Sequence, residues 1–259
     1  ILLASAVALV IIGGIKSIAN AASRIVPSMA GLYLLSALTI LMLSIDKIDD
    51  ALNLIIQSAF GLGSFTGGAI GALIIGFQRS AFSNEAGMGT ASIAHSAVET
   101  DEPISEGLVS LLEPFIDTMI ICTLTSLVII TTLYTNDPSL GNLEGIAITS
   151  AAFAFHIDWF PVVLGIAALL FAFSTAIAWA YYGLKSWTYI FGESRGSELV
   201  FKMIFCLFVC LGCMIKLSAV LDFSDAMVFV IAVPNIIGLY LYAPEVKRDL
   251  KAYLARHKI

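Results

Sequence analysis

Arg79-Ser80-Ala81-Phe82-Ser83-Asn84-Glu85-Ala86-Gly87-Met88-Gly89-Thr90 follows directly on an almost wholly apolar run, Gly67 to Phe77, with only Gln78 between them. An arginine, an asparagine, a glutamate and two glycines are thus carried into or against a membrane-length segment. A charge at a bilayer centre costs roughly 2.5–3.5 kcal/mol on insertion scales and is kept where it faces a cavity or a partner. The stretch therefore reads as a site. Ala86 to Ala97 is again small and helix-compatible. The most economical structure is a discontinuous span: one half-helix ending near Phe82, a short unwound link, and a second half-helix from about Asn84. Ser83 or Asn84 would cap the second half, with Glu85 in its first turn, where the helix dipole favours a negative charge. Unwound backbone at membrane depth offers carbonyls to a cation and amides to an anion, so it could hold a zwitterion by both ends. A cytoplasmic loop after a complete span accounts for the same residues. The physics of the stretch alone leaves both readings open.

Two further clusters carry polar chemistry. Ser174 and Thr175 are adjacent hydroxyls in the middle of an apolar segment. Hard cations such as sodium prefer oxygen ligands, but serine and threonine in spans often bond a carbonyl of their own helix, and the pair alone favours that reading. Glu113 and Asp117 sit four residues apart on one helix face. They suit a proton relay, or, the favoured reading, one of them pairs Arg79 near the cytoplasmic end. His95 is read as a polar contact. Cys206, Cys210 and Cys213 share a face at i, i+4, i+7, and with Cys122 complete the 4 cysteines. No histidine or acid joins them, so packing is preferred to a metal site. No HExxH, GxSxG, P-loop or dinucleotide glycine motif is present, and no enzyme is expected.

The elements that must position these residues are membrane helices. The chain is 59% hydrophobic and 12% charged, against about 25% charged in soluble domains. Apolar runs at 1–14, 27–45, 62–82, 108–133, 162–184, 199–217 and 223–243 each approach or reach the ~20 residues needed to cross hydrocarbon. The third extends to 62–97 if the helix is broken. Strict alternation is absent, which argues against a barrel. Gly63, Gly67 and Gly71 lie on one face, as in small-residue helix packing. The segment 13–27 reads as a basic cytoplasmic turn, 143–155 as a short helix lying on the outer surface, and Pro244 as the stop of the last span. Lys16, Arg24, Lys185, Arg195 and the basic tail 244–259 fall on one side of a seven-span arrangement, which the positive-inside rule makes cytoplasmic. The chain opens inside an apolar run, so it is expected to be the C-terminal part of a longer protein. The net charge of −6 adds nothing about partners, and no nucleic acid is expected.

At this point the residues resemble a known family. Phe82-Ser83-Asn84-Glu85-Ala86-Gly87-Met88-Gly89 with Ala94-His95 is similar to the hallmark of the alanine/glycine:cation (sodium:alanine) symporters. Glu113-Pro114-Phe115-Ile116-Asp117-Thr118 with Cys122-Thr123 resembles the next family segment. Phe171-Ala172-Phe173-Ser174-Thr175 with Trp179 and Tyr181-Tyr182-Gly183 resembles a third, and Asn235 after Pro234 fits the last helix. The resemblance implies an all-α polytopic membrane protein of the LeuT-like inverted-repeat fold. It would be incomplete here, with the second repeat plus the last two helices of the first. The earlier helices, with the family's other broken helix and tryptophan-rich signature, would be partners missing from this chain.

The resemblance further implies sodium-coupled symport of a small neutral amino acid, alanine or glycine, by alternating access across the plasma (inner) membrane. Phe82, Ser83, Asn84 and Thr175 would bind the substrate. Ser174 and Thr175 would bind sodium, the coupling ion, and Arg79, Glu85, Gly87 and Gly89 would serve the helix break and gating. The alternatives are proton-coupled amino-acid transport, or a channel or non-transporting membrane scaffold. The chain departs from the family pattern at Ser80, where glycine is common, at Thr90-Ala91-Ser92, where Ser-Ala-Pro is common, and in its acidic segment from Glu99 to Glu106.

Overall fold

The structure is a computed structural model and describes residues 2–60, 68–134, 143 and 145–258. No strand occurs among them. The helices are α1 (Leu2–Ile12), α2 (Gly14–Leu43), α3 (Ile48–Phe60), α4 (Gly68–Asn84), α5 (Thr90–His95), α6 (Pro103–Tyr134), α7 (Ile146–Ala154), α8 (Phe160–Phe191), α9 (Arg195–Gly212) and α10 (Leu217–His257). Four of the described helices are long and apolar enough to cross a membrane: α2, α6, α8 and α10 from Ser218 onward. This is consistent with an all-α polytopic membrane protein. Residues 62–67 of the expected broken span, with Gly63 and Gly67, lie outside the described residues.

The chain divides into two compact units. Unit 1 comprises Ile1–Ile75 and Met119–Tyr181; unit 2 comprises Gly76–Thr118 and Tyr182–Ile259. Helices α4, α6 and α8 contribute residues to both.

Unit 1 is organised around aromatic rings. Tyr33, Ala37, Ile40 and Leu41 of α2 pack with Val128 and Leu133 of α6, Ala152 and Phe153 of α7, and Phe160 and Leu164 of α8. The Tyr33 ring stacks on Phe153 at 5.8 Å between centroids and meets Phe171 edge-on at 6.1 Å. Its hydroxyl shares a hydrogen bond with the Thr125 hydroxyl at 2.5 Å, so the one polar tip in this cluster is satisfied, as buried tyrosines require. The Ser44 hydroxyl and His156 Nε2, 2.6 Å apart, join the ends of α2 and α7.

Several expectations change. The segment 13–27 is no turn: α2 starts at Gly14 and runs through Pro27. Lys16, Asn20 and Arg24 recur every four residues and are all exposed, so their polarity marks one face of a helix. Backbone in an apolar setting stays helical for want of another hydrogen-bond partner. Only Gly13 separates α1 from α2, whose first residue, Gly14, has φ +71°. The short helix expected at 143–155 forms at Ile146–Ala154, with Ala152 and Phe153 buried in the unit 1 cluster and Ile146 exposed. The last helix does not stop at Pro244; it passes through Pro234 and Pro244 to His257. Proline removes one backbone bond, but 245–257 is rich in good helix formers, and Glu245 pairs with Arg248 at 3.4 Å one turn on.

Helix α6 is wound more loosely than an ordinary helix over Phe115–Cys122 and Ile130–Tyr134, where its bonds are of π type. Such widening is frequent at functional sites. The first of these segments follows Pro114, which has no N–H to give.

Candidate functional site

The polar stretch of the sequence lies in unit 2 and breaks a helix. Helix α4 runs to Asn84, residues 85–89 are not helical, and α5 starts at Thr90. The interruption sits later than the sequence reading had it. Ser83 and Asn84 are the last residues of α4, not the unwound link or the cap of the second half. The reason is in the dihedral angles: Glu85, Gly87 and Gly89 adopt φ of +56°, +82° and +87°. Glycine enters this left-handed region freely, and the two glycines place the turn downstream of Asn84. Glu85 enters it at the cost of strain, of order 1–3 kcal/mol for a non-glycine residue. Gly89, not a serine or asparagine, is the N-cap residue of α5, and no side chain caps that end.

The break is internally buttressed. The Asn84 Oδ1 accepts from the Ala86 amide at 3.0 Å, and the Met88 amide donates to the Glu85 carbonyl at 3.2 Å. The Ser92 hydroxyl donates to the Gly89 carbonyl at 2.7 Å. From α10, Asn235 Nδ2 donates to the Gly87 carbonyl at 2.8 Å. Met88 and Thr90 are buried, and the Thr90 hydroxyl has no hydrogen-bond partner among the described residues.

Two sets of side chains fasten the first half-helix. Toward α6, the Ser83 hydroxyl donates to the Asp117 carboxylate, and Asn84 Nδ2 donates to the Thr118 hydroxyl at 2.9 Å. Toward α10, Gln78 Nε2 and Arg79 Nη2 both donate to Asp225 Oδ2, at 2.6 and 2.5 Å. Arg79 therefore does not pair with Glu113 or Asp117. Asp117 is engaged by Ser83, and Glu113 lies 3.7 Å from His95. Asp225 went unassigned by the sequence reading, although it is the only acid in the apolar run 223–243, and that isolation was the available signal. It is 9% exposed, and its Oδ1 is buried without a partner among the described residues. Unpaired, such a carboxylate would be costly in a dry interior; the guanidinium and the Gln78 amide offset that cost. Phe82, between Arg79 and Ser83 in sequence, is 37% exposed.

Beyond the break, His95 Nδ1 meets the Glu106 carboxylate at 2.6 Å. Both line a cavity of about 540 Å³ with Ser92, Ser96, Thr100 and Ser110. The end of α10 closes back on this region: Arg256 and His257 each contact the Glu102 carboxylate at 3.1 Å. In unit 1, Ser174 is 8% exposed and donates to the carbonyl of Phe171 at 2.9 Å, on its own helix, with Met29 Sδ at 3.6 Å. Thr175, next to it, is exposed. No group of three metal-ligating side chains occurs among the described residues.

Comparison with known proteins places this geometry in context. The family model of the sodium:alanine symporter family matches residues 1–259. A transporter of uncharacterized function from Haemophilus influenzae is 38% identical over 260 residues, covering 98% of this chain and 56% of the relative. The sodium/alanine symporter AgcS of Methanococcus maripaludis is 38% identical over 247 residues, covering 95% of this chain and 54% of the relative. The amino-acid carrier protein AlsT of Bacillus subtilis is 34% identical over 260 residues, covering 100% and 55%. The chain thus spans about half the length of the curated relatives it matches. It belongs to the sodium:alanine symporter family.

Proposed function

From that membership we propose that this chain carries the second inverted repeat of a LeuT-like secondary transporter, with the last two helices of the first. The transporter couples sodium to uptake of a small neutral amino acid, alanine or glycine, across the plasma membrane. Its C-terminal tail is cytoplasmic, as the basic residues of 244–259 suggest. The observation that carries the reading is the interruption at Glu85–Gly89 between α4 and α5. A family name alone gives no chemistry; a helix broken inside an apolar sequence supplies what a zwitterion needs. Exposed amides meet its carboxylate, and backbone or side-chain oxygens meet its ammonium.

In this reading Phe82 walls the pocket and limits side-chain size, while Ser83 and Asn84 shape it from the end of α4. The unwound backbone that contacts the substrate is that of Glu85, Gly87 and Gly89. Thr175 contributes a substrate contact and, with Ser174, oxygen ligands for sodium. Arg79 moves with α4 during gating and exchanges its partners as the transporter alternates.

Uptake of labelled alanine by the full-length protein in liposomes tests this. Saturable uptake that needs an inward sodium gradient is expected. Equal uptake with and without the gradient removes sodium coupling. Uptake driven by a pH gradient alone points to protons instead, and non-saturating flux points to a channel.

A further inference from the structure

Helix α10 reaches the broken helix at two levels, and the contacts differ in kind. At Asp225 it holds α4 by charge, through Gln78 and Arg79. Ten residues later, at Asn235, it holds the break itself. The Asn235 Nδ2 donates to the carbonyl of Gly87 at 2.8 Å. The same side chain fills the space beside Gly89: a Cβ at position 89 would lie 2.9 Å from Asn235 Oδ1 and 3.2 Å from its Cγ. Gly89 is thus required twice, by its φ of +87° and by the amide packed against it. Asn235 follows Pro234 inside α10.

We propose that Asn235 is a positioning residue for substrate binding. Its amide sets the carbonyl of Gly87, and with it the direction of the unwound backbone groups at 85–89. An interruption in a membrane helix frees backbone groups that have no water to bond. A side chain of fixed length from another helix supplies a donor at one point only, which selects one arrangement of the loop. Ser92 and Asn84 satisfy other groups of the break from within the same segment. Asn235 supplies a bond from 148 residues away, so it ties the geometry of the break to the place of α10. The inference rests on the reading of Glu85–Gly89 as part of the amino-acid site.

The test uses the full-length protein in lipid nanodiscs and liposomes, with the variants Asn235→Ala and Asn235→Asp. Backbone hydrogen exchange of the peptide containing 85–89 reports the geometry without reference to any substrate. Exchange there is expected to rise in Asn235→Ala while the unit 1 core around Tyr33 and Phe153 is unchanged. The KM for alanine is expected to rise about tenfold, the effect of orphaning one part-buried carbonyl, with a smaller change in maximal rate. Asn235→Asp fills the same volume but donates only when protonated. Its uptake relative to the parent should recover as pH falls, whereas the Asn235→Ala ratio stays flat, which controls for any pH dependence of the parent.

Unchanged exchange at 85–89 in Asn235→Ala, or an Asn235→Asp protein that matches the parent at every pH, overturns the proposal. If Asn235→Ala does not fold, the pH profile of Asn235→Asp decides alone. Raised exchange in a protein whose parent fails to take up alanine would uphold Asn235 as the positioning residue of the break and overturn the substrate reading instead.

Discussion

Around Tyr33 in unit 1 the long-range contacts are rings and aliphatic side chains with a single hydroxyl pair; around Gly87 in unit 2 they are amide, hydroxyl and carboxylate. The unit 1 cluster uses shape. Tyr33, Phe153 and Phe160 fill space between α2, α7 and α8, and the one hydroxyl among them is bonded to Thr125. In unit 2 a helix is broken, and the break is held by polar side chains from α6 and α10. Polar bonds in an apolar setting cost more to form than ring packing, because every unsatisfied partner must be paired. A region built that way holds one backbone geometry in place, which is what a binding site requires and a packing core does not.

The comparison breaks most sharply at Phe153, which is fully buried. Phe153→Ala should cost about 3–5 kcal/mol of stability, the usual price of a large cavity in a core. Thermal unfolding of the full-length protein should show it, while uptake per folded molecule stays near the parent's. Gly89→Val should do the reverse. A β-branched residue at φ +87° carries strain of about 1–3 kcal/mol, and its Cβ would run into Asn235. Melting should fall less than in Phe153→Ala, and uptake should vanish. If the two variants lose stability and uptake in the same proportion, the distinction between core and site is wrong.

A smaller effect is expected at the charge tether. Asp225→Asn keeps the volume but removes the counter-charge of Arg79, and Arg79→Gln removes the other member. Because the Arg79 side chain is 46% exposed, its surroundings moderate the loss. A coupling energy of about 0.5–3 kcal/mol between the two sites is expected in a double-mutant cycle, as for directly bonded residues. Additive effects on uptake would show that the contact in this conformation plays no part in transport.

What the sequence made legible, and what it did not, divides along the same line. The helical class and the polar stretch at 79–90 could be read because apolar runs and isolated charges are local signals. The position of the break could not be read from capping preference alone. Ser83 and Asn84 looked like caps, yet their side chains reach Asp117 and Thr118; the glycines downstream decide where the chain turns. The partner of Arg79 was misassigned because the choice among Glu113, Asp117 and Asp225 depends on which helix lies beside α4, and spacing along the chain holds no record of that. The segment 13–27 was read as a turn and Pro244 as a stop, but helix continuity in an apolar setting outweighs the one bond missing at Pro27, and the helix formers after Pro244 carry α10 on. Asn235 was noticed only as a family feature; its contact with Gly87 spans 148 residues and leaves no pattern in the sequence.

The finest separation concerns two neighbours that the sequence presents as a pair. Ser174 is buried, and its hydroxyl is already spent on the Phe171 carbonyl at 2.9 Å; Thr175 is exposed. A hydroxyl that donates to its own helix keeps its lone pairs, so Ser174 can still offer oxygen to sodium, but only along the direction that bond allows. Ser174→Ala should therefore cost no more than about 0.5–1.5 kcal/mol in stability, the net worth of one ordinary hydrogen bond. Thr175→Ala should leave stability unchanged. The separation appears in sodium titrations of alanine uptake by the full-length protein. If both oxygens hold sodium, each variant shifts the half-saturating sodium concentration upward, and Thr175→Ala also raises the KM for alanine. If Ser174 is only a helix-internal hydroxyl, Ser174→Ala leaves the sodium titration where it was, and the cation site is carried by Thr175 without it.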